Sequence, residues 1–421
     1  MLEKIRTKIH QYFISKTDFL TVKDKLSEDQ LRAYVAKAIN DFCQKEDTLL
    51  TEEERTTLLR ELVSAVVSYG PLRPLMEDNT VSEIMVNGPK QVYIQRNGKM
   101  QVTDVRFDDE KHLVHTIQKI LAASGSGRRV DESSPYVDFS LPDGSRANVI
   151  LPPVSLVGPV ITIRKFASDI SKIEDLLVRK MLNKEMAEFL VASIKAKLNI
   201  VFCGATGTGK TTTLNVLSRY IPSEERIITI EDTAELRLLQ EHVVRLQSKA
   251  ANIEGKGIIA IRDLFVNSLR MRPDRILIGE VRGAEALDMI QAISSGHAGS
   301  LAIAHADSPD DCFSRLVTMI LISGIQLSVE EIRNQVASAI DLIVHTELFL
   351  DGTRKITHIT DVLYDKNTKE TVLNDIFYFR QERVETDGKV IGDWAMNKKK
   401  PSFYEKFVKR NIRFPAGFFE D

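Results

Sequence analysis

The chain has 421 residues, 43% of them apolar, and its 57 Lys and Arg nearly balance 59 Asp and Glu for a net charge of −2. A near-neutral chain of this size does not suit a nucleic-acid coat protein, and it is long enough for two or three domains with real cores. Three cysteines, Cys43, Cys203 and Cys312, lack C-x-x-C spacing, which excludes a zinc signature or a disulfide framework and fits a reducing cytoplasm.

Residues 1–70 read as a helical N-terminal region. Leu2, Ile5, Ile9 and Phe13 keep a helical spacing, and so do Leu58, Leu59, Leu62, Val63, Val66 and Val67. Thr51 followed by Glu54 is a capping box for the second of these helices. The first helix suits a membrane or partner surface, or simple packing on its neighbours. The charges of Glu3, Lys4, Arg6 and Lys8 stand where a signal sequence needs its apolar core. No stretch reaches the roughly 18 uninterrupted apolar residues of a membrane span. The expectation is a soluble, cytoplasmic protein that meets a membrane only through partners.

Residues 71–165 read as a small α+β domain. Residues 81–86 form a strand stopped by Asn87-Gly88-Pro89. Strands 92–96 and 99–103 flank Asn97-Gly98, a strong hairpin signal. Residues 112–124 suit a helix. Strands 139–141 and 146–151 flank Pro142-Asp143-Gly144, and 160–164 is a further strand. Residues 166–176 read as a linker.

From 177 to 421 short apolar strands alternate with helices. Strands are expected at 198–202, 226–230, 243–246, 275–280 and 300–305, with helices opening at 212, 261 and 284. A hairpin joins 341–345 to 355–359 about Asp351-Gly352. Such alternation argues a mostly parallel sheet covered on both faces, with functional groups at the strands' carboxyl ends. The tail from about 366 reads as a mixed extension, and Lys398-Lys399-Lys400 as a solvated charge run.

The residues Gly204, Ala205, Thr206, Gly207, Thr208, Gly209, Lys210, Thr211 and Thr212 contain the spacing G-x-x-x-x-G-K-T of a phosphate-binding loop. The glycines let the backbone approach a phosphate, and successive N–H groups form an anion nest at a helix N-terminus. Lys210 supplies a mobile charge for the β- and γ-phosphates, and the Thr211 hydroxyl suits Mg²⁺. A strand before and a helix after the loop complete the motif. The expected cofactors are ATP and Mg²⁺.

Hydrolysis also needs an oriented water and cover for developing charge. Glu280 ends the strand 275–279 at the position of a Walker B acid, with Gly279 where many P-loop ATPases carry Asp. Glu231 and Asp232 end a neighbouring strand. Glu280 is assigned mainly to Mg²⁺ and its waters and Glu231 to the attacking water, although the two assignments can be exchanged. His305 suits a γ-phosphate sensor, and His297 a contact tying that sensor to a subunit interface. Both also suit ordinary packing, and no third ligand completes a metal site. Arg128, Arg146 and Arg164 suit bidentate phosphate contacts or surface ion pairs.

Together these stretches resemble the secretion ATPases that power type II secretion, type IV pili and type IV secretion. Residues 204–212 match the family's Walker A motif, 229–236 its Asp box, 278–282 its Walker B motif and 295–305 its His box. Gly279 is the family's own pattern. Residues 81–88, 127–135, 141–146, 162–166 and 337–344 are similar to the tight-adherence (Flp/Tad) pilus assembly ATPases. The four-cysteine zinc insertion typical of type II secretion and type IVa extension ATPases is absent.

The resemblance implies an α/β protein with a helical N-terminal segment, a small PAS-like α+β domain, and a RecA-like P-loop ATPase domain. It implies a homo-hexamer in which Arg146, Arg164 and less surely Arg128 close on the phosphates. It implies partners among the inner-membrane platform proteins of a pilus or secretion machine, with the ATPase peripheral at the inner face of the cytoplasmic membrane. No nucleic acid is expected, because no aromatic-interleaved basic stripe is present. Three other readings remain open on the residues: a type IV secretion ATPase exporting effectors or DNA, a P-loop kinase, and a nucleotide-gated scaffold.

Overall fold

Glu28–Lys45 is an 18-residue helix whose buried Val35, Ala38, Ile39, Phe42 and Cys43 form a small core with Leu58. The computed structural model describes residues 28–45, 50–52, 54–59, 69–96, 98–165, 170–249, 256–365, 368, 370–386 and 388–420. The helix expected over Leu2, Ile5, Ile9 and Phe13 lies outside them, as do Leu62, Val63, Val66 and Val67. The capping box at Thr51 is present. The Thr51 N–H donates to Glu54 Oε2 at 2.8 Å, and the Glu54 N–H donates to Thr51 Oγ1 at 3.2 Å. The chain divides into two compact units, Met1–Ala167 and Ser168–Asp421.

The first unit carries a six-stranded antiparallel sheet of β1 (Val81–Asn87), β2 (Val92–Arg96), β3 (Lys99–Val102), β4 (Tyr136–Ser140), β5 (Arg146–Ile150) and β6 (Val160–Arg164), in the order β3-β2-β1-β6-β5-β4. The β2–β3 hairpin expected from Asn97-Gly98 is present, with Gly98 at φ +77°; Asn97 itself lies outside the described residues. Period-two alternation sets the two faces of the sheet. Ile84, Val86, Phe139, Ala147, Val149, Ile161 and Ile163 turn inward, where Leu113, Ile117 and Ile120 of helix Glu110–Ala123 cover them. Asp109 caps that helix by accepting from the His112 N–H. The residues between, including Arg146 and Arg164, occupy the other face.

The second unit holds nine strands: β7 (Ile200–Cys203), β8 (Ile227–Glu231), β9 (Val243–Gln247), β10 (Arg275–Val281), β11 (Leu301–Ala304), β12 (Leu342–Leu348), β13 (Arg354–Asp365), β14 (Glu370–Val384) and β15 (Val390–Met396). Their order is β15-β14-β13-β12-β7-β11-β10-β8-β9. The six from β12 to β9 are parallel, and β13, β14 and β15 continue one edge antiparallel. β7, β8 and β11 are buried at every position, as strands covered on both faces must be. This is the mostly parallel sheet expected from the alternation and the RecA-like arrangement that the family resemblance implies.

One expectation is corrected. The stretch read as a linker contains helix Ile173–Val178, whose Asp175 carboxylate accepts from the N–H groups of Ser171 and Lys172. Residues 166–169 lie outside the described residues. The tail from 366 is integrated into the sheet and core. β14 pairs with β13 over its first half and with β15 from Phe377 to Val384, and Phe403, Phe407, Phe414, Phe418 and Phe419 close around Phe189 and Phe377. Lys398, Lys399 and Lys400 are exposed, as expected.

The amino ends of the parallel strands are stitched by buried polar groups. The Asn199 side chain accepts from the N–H groups of Gly299 and Ser300 and donates to Ala339 O at 2.9 Å. Asp341 accepts from the Asn199 N–H at 2.9 Å and from Lys406 at 2.6 Å. Arg275, fully buried, donates to Glu225 at 2.6 Å and to Ile194 O at 2.8 Å. A Cβ built on Gly299 would lie 2.7 Å from the Arg275 guanidinium, so this glycine is a packing requirement. Breaking such a buried pair costs about 3–5 kcal/mol.

Candidate nucleotide-binding site

β7 runs into a loop, residues 204–209, that ends at the N-terminus of helix Lys210–Ser218. Gly204, Gly207 and Gly209 have φ of +148°, +79° and +98°, all disfavoured for other residues. A Cβ at Gly204 would meet Thr346 O at 2.2 Å, whereas one at Gly207 would meet nothing within 4 Å. The loop is therefore wedged on its inner side and open on its outer side, where Ala205, Thr206 and Gly207 are exposed. The Lys210 ammonium is buried and donates to Gly204 O at 2.9 Å and Ala205 O at 2.7 Å. Thr211 and Thr212, half-buried, open the helix behind it. The N–H groups of a first helical turn have no intrahelical acceptor, so this end suits an anion.

Four expected groups fall in a row across four adjacent parallel strands. Lys210 follows β7, His305 follows β11, Glu280 lies near the end of β10, and Glu231 ends β8. His305 Nε2 lies 3.1 Å from Glu280 Oε1. The Arg282 guanidinium donates to Glu280 Oε2 at 2.6 Å. Burial pushes the Glu280 carboxyl up, but the hydrogen bonds from His305 and Arg282 and the Arg282 charge outweigh it and hold it at about 2.

Glu231 is opposite in character. It is 1% exposed, its Oε2 accepts from the N–H groups of Glu235 and Leu236 at 2.6 and 2.7 Å, and its Oε1 has no partner. Burial pushes its carboxyl up to about 7, against the pull of those two N–H groups. Gly279 explains the missing Walker B aspartate. A Cβ there would lie 2.9 Å from Glu231 Cγ, so a side chain at 279 and this placement of Glu231 exclude each other.

Three participants were not singled out from the sequence. Glu235 accepts from Thr211 Oγ1 at 3.1 Å, which joins the residue expected to hold Mg²⁺ to the Glu231 loop. Thr346, on β12, shares a 2.8 Å hydrogen bond with Thr208 and donates to Cys203 O. Arg354, opening β13, donates to Gly207 O at 2.7 Å. Glu235 lay within a recognised motif, but Thr346 and Arg354 follow the loop by more than 130 residues and no local pattern marks them.

His297 is not brought to the row. It sits on the turn before β11, at the opposite edge of the sheet from His305, with Nδ1 3.3 Å from Ala292 O at the end of helix Glu285–Ser294. The strand β11 separates the two histidines, as their spacing implied. Among the described residues, no group of three His, Cys, Asp or Glu is placed to hold a metal through protein ligands alone. One that enters with phosphate needs only Thr211 and a nearby carboxylate, and these residues fit that role.

In the first unit, Arg146 and Arg164 are direct cross-strand partners on β5 and β6, and Glu83 pairs with Arg164 from β1. Arg164 donates to Glu83 at 2.7 Å. Arg128 is anchored to the carbonyl of Asp138 on β4. The structure thus brings two of the three expected arginines side by side and places the third at the neighbouring strand.

A model of the type II/IV secretion system protein family matches residues 66–371. The chain is similar to VirB11, a type IV secretion system protein of Brucella suis, with 33% identity over 72% of this chain and 90% of that protein. It is also similar to a protein of Mycobacterium tuberculosis named for conjugal transfer, with 30% identity over 74% of this chain and 89% of the relative. Among solved structures, the Brucella suis VirB11 ATPase in complex with sulphate aligns at 30% identity over 74% of this chain and 97% of that one, with a TM-score of 0.39.

Proposed function

Because this chain belongs to the type II/IV secretion system protein family, we propose that it is a Mg²⁺-dependent ATPase motor that assembles a tight-adherence (Flp/Tad) type pilus. The observation that carries the ATPase part is the row of Lys210, His305, Glu280 and Glu231 along the carboxyl edge of four parallel strands. The pilus assignment is supported by the stretches 81–88, 127–135, 141–146, 162–166 and 337–344, and by the lack of a four-cysteine insertion. A second reading, an ATPase serving a type IV secretion channel, is favoured by the names of its relatives.

The residues divide the work. The loop N–H groups and Lys210 bind and orient the phosphates, and the Lys210 ammonium exchanges its carbonyl partners for phosphate oxygens. Thr211 and Glu280 would hold Mg²⁺, which would neutralise charge on the phosphate oxygens. Glu280, firmly ionised, suits that duty. Glu231, with one unpaired oxygen in a buried pocket, takes the proton of the attacking water at Oε1. His305, held by Glu280, reads the terminal phosphate. Arg146, Arg164 and Arg128 supply the remaining positive charge. Work at the cytoplasmic face of the membrane goes through platform proteins, and the unit of work is a homo-hexamer. Among the described residues, no helix is long and apolar enough to cross a membrane.

The test is a chromosomal Lys210→Ala substitution, which removes the phosphate charge and leaves the loop free to fold. Surface filaments and secreted proteins are scored side by side. Lost filaments with normal secretion are expected. Intact filaments with a missing secreted protein, or lost DNA transfer, would move the ATPase to a secretion channel. No change in either would overturn the motor reading.

A further inference from the structure

Arg354 opens β13 and its Nε donates to Gly207 O at 2.7 Å. Across the same hairpin, Thr346 on β12 bonds Thr208 and Cys203 O. Both strands of one hairpin therefore grip the phosphate loop, one from beneath and one at its open rim. The base of that grip is firm. Asp351, at the hairpin turn, accepts from the Thr353 N–H and hydroxyl and from the Val390 N–H at the start of β15. The Ile356 N–H donates to Met181 O at 2.7 Å.

A trans peptide is planar, and its C=O and N–H point in opposite directions. Holding Gly207 O on the guanidinium turns the Thr208 N–H to the other side of the loop. A glycine at φ +79° has no side chain to impose that orientation for itself. Lys210 acts on Gly204 O and Ala205 O in the same sense, so the carbonyls of three loop residues are drawn onto cations. When Lys210 turns to phosphate it gives up those contacts, whereas Arg354 has no need to move.

We propose that Arg354 is a positioning residue for the nucleotide, setting the 207–208 peptide of the phosphate nest through its hydrogen bond to Gly207 O. This rests on the ATPase reading of the same loop. The group acts through the backbone, so its loss weakens nucleotide binding more than the chemical step.

The test uses the full chain and MgATP. Arg354→Met keeps the stem that packs beside Gly209 and removes the donor. It raises KM for ATP about tenfold, the size expected for losing a hydrogen bond to a charged group, while kcat falls far less. The nucleotide-free melting temperature stays at the wild-type value, because the side chain is only half-buried. Arg354→Lys, which restores a donor without the planar fork, recovers part of the affinity. An unmoved KM in Arg354→Met overturns the proposal, and so does a joint fall in kcat and melting temperature, the mark of a purely structural role. A wild-type chain that binds no MgATP overturns the ATPase reading and this proposal with it. Wild-type binding with an unmoved KM in the variant overturns this proposal alone.

Discussion

Glu231→Gln lowers the rate of ATP hydrolysis about 10²–10⁴-fold and leaves MgATP binding nearly intact. The sequence alone left Glu231 and Glu280 exchangeable, and the proposed division of roles rests on their different surroundings. A general base must hold a proton loosely near neutral pH and have an oxygen to receive it. Glu231 has both, with its carboxyl raised to about 7 by burial and Oε1 unpartnered. A group that holds metal waters must stay ionised, and Glu280, held at about 2, does. Glu280→Gln therefore shows a different defect, a raised Mg²⁺ requirement that added metal partly restores. Single-turnover hydrolysis beside nucleotide titration separates the two. Turnover in Glu231→Gln within about tenfold of wild type would return the base to Glu280.

Arg146→Ala and Arg164→Ala each lose hydrolysis by about 10³–10⁵-fold while folding and binding nucleotide as the wild type does. The register sets the two side by side on one face of the first unit's sheet. Two arginines directly opposite on adjacent strands repel one another, and like charges so placed destabilise a sheet by a few tenths of a kcal/mol up to about 1 kcal/mol. Glu83 pairs with Arg164 at 2.7 Å. Two guanidinium groups side by side on one face suit an external polyanion. Normal turnover in both variants would remove the arginine clamp from the mechanism.

The fold was legible where local rules decide it. The Asn97-Gly98 hairpin, the Thr51–Glu54 cap and the strand–loop–helix around residues 204–212 each need only a short window, and all of their described parts are as the sequence implied. β14 and β15 were missed because strand Glu370–Val384 is half-exposed along most of its length and has no clean alternation. Its partners, β13 and β15, supply the order that its own pattern lacks. Helix Ile173–Val178 was missed because six residues carry too little periodicity to register against an expected linker. In the site, residues inside contiguous motifs were found and those reaching in from elsewhere were not. Thr346 and Arg354 are ordinary strand residues until the β12–β13 hairpin lays them on the loop. His297 and His305 lie at opposite ends of the four-residue strand β11, so only His305 joins the row at the carboxyl edge.

Those edges have a genetic consequence. The amino edge holds Asn199, Arg275, Asp341 and Lys406, which bind strands to one another, and the carboxyl edge holds Lys210, Glu231, Glu280 and His305. An allele damaged at the amino edge removes its own product from the folded pool, and a second, intact copy restores the phenotype: such alleles are recessive. In the proposed ring, an allele damaged at the carboxyl edge yields a well-folded subunit that still takes its place and stalls its neighbours. Those alleles are dominant over the wild type, in proportion to how many subunits must fire in turn.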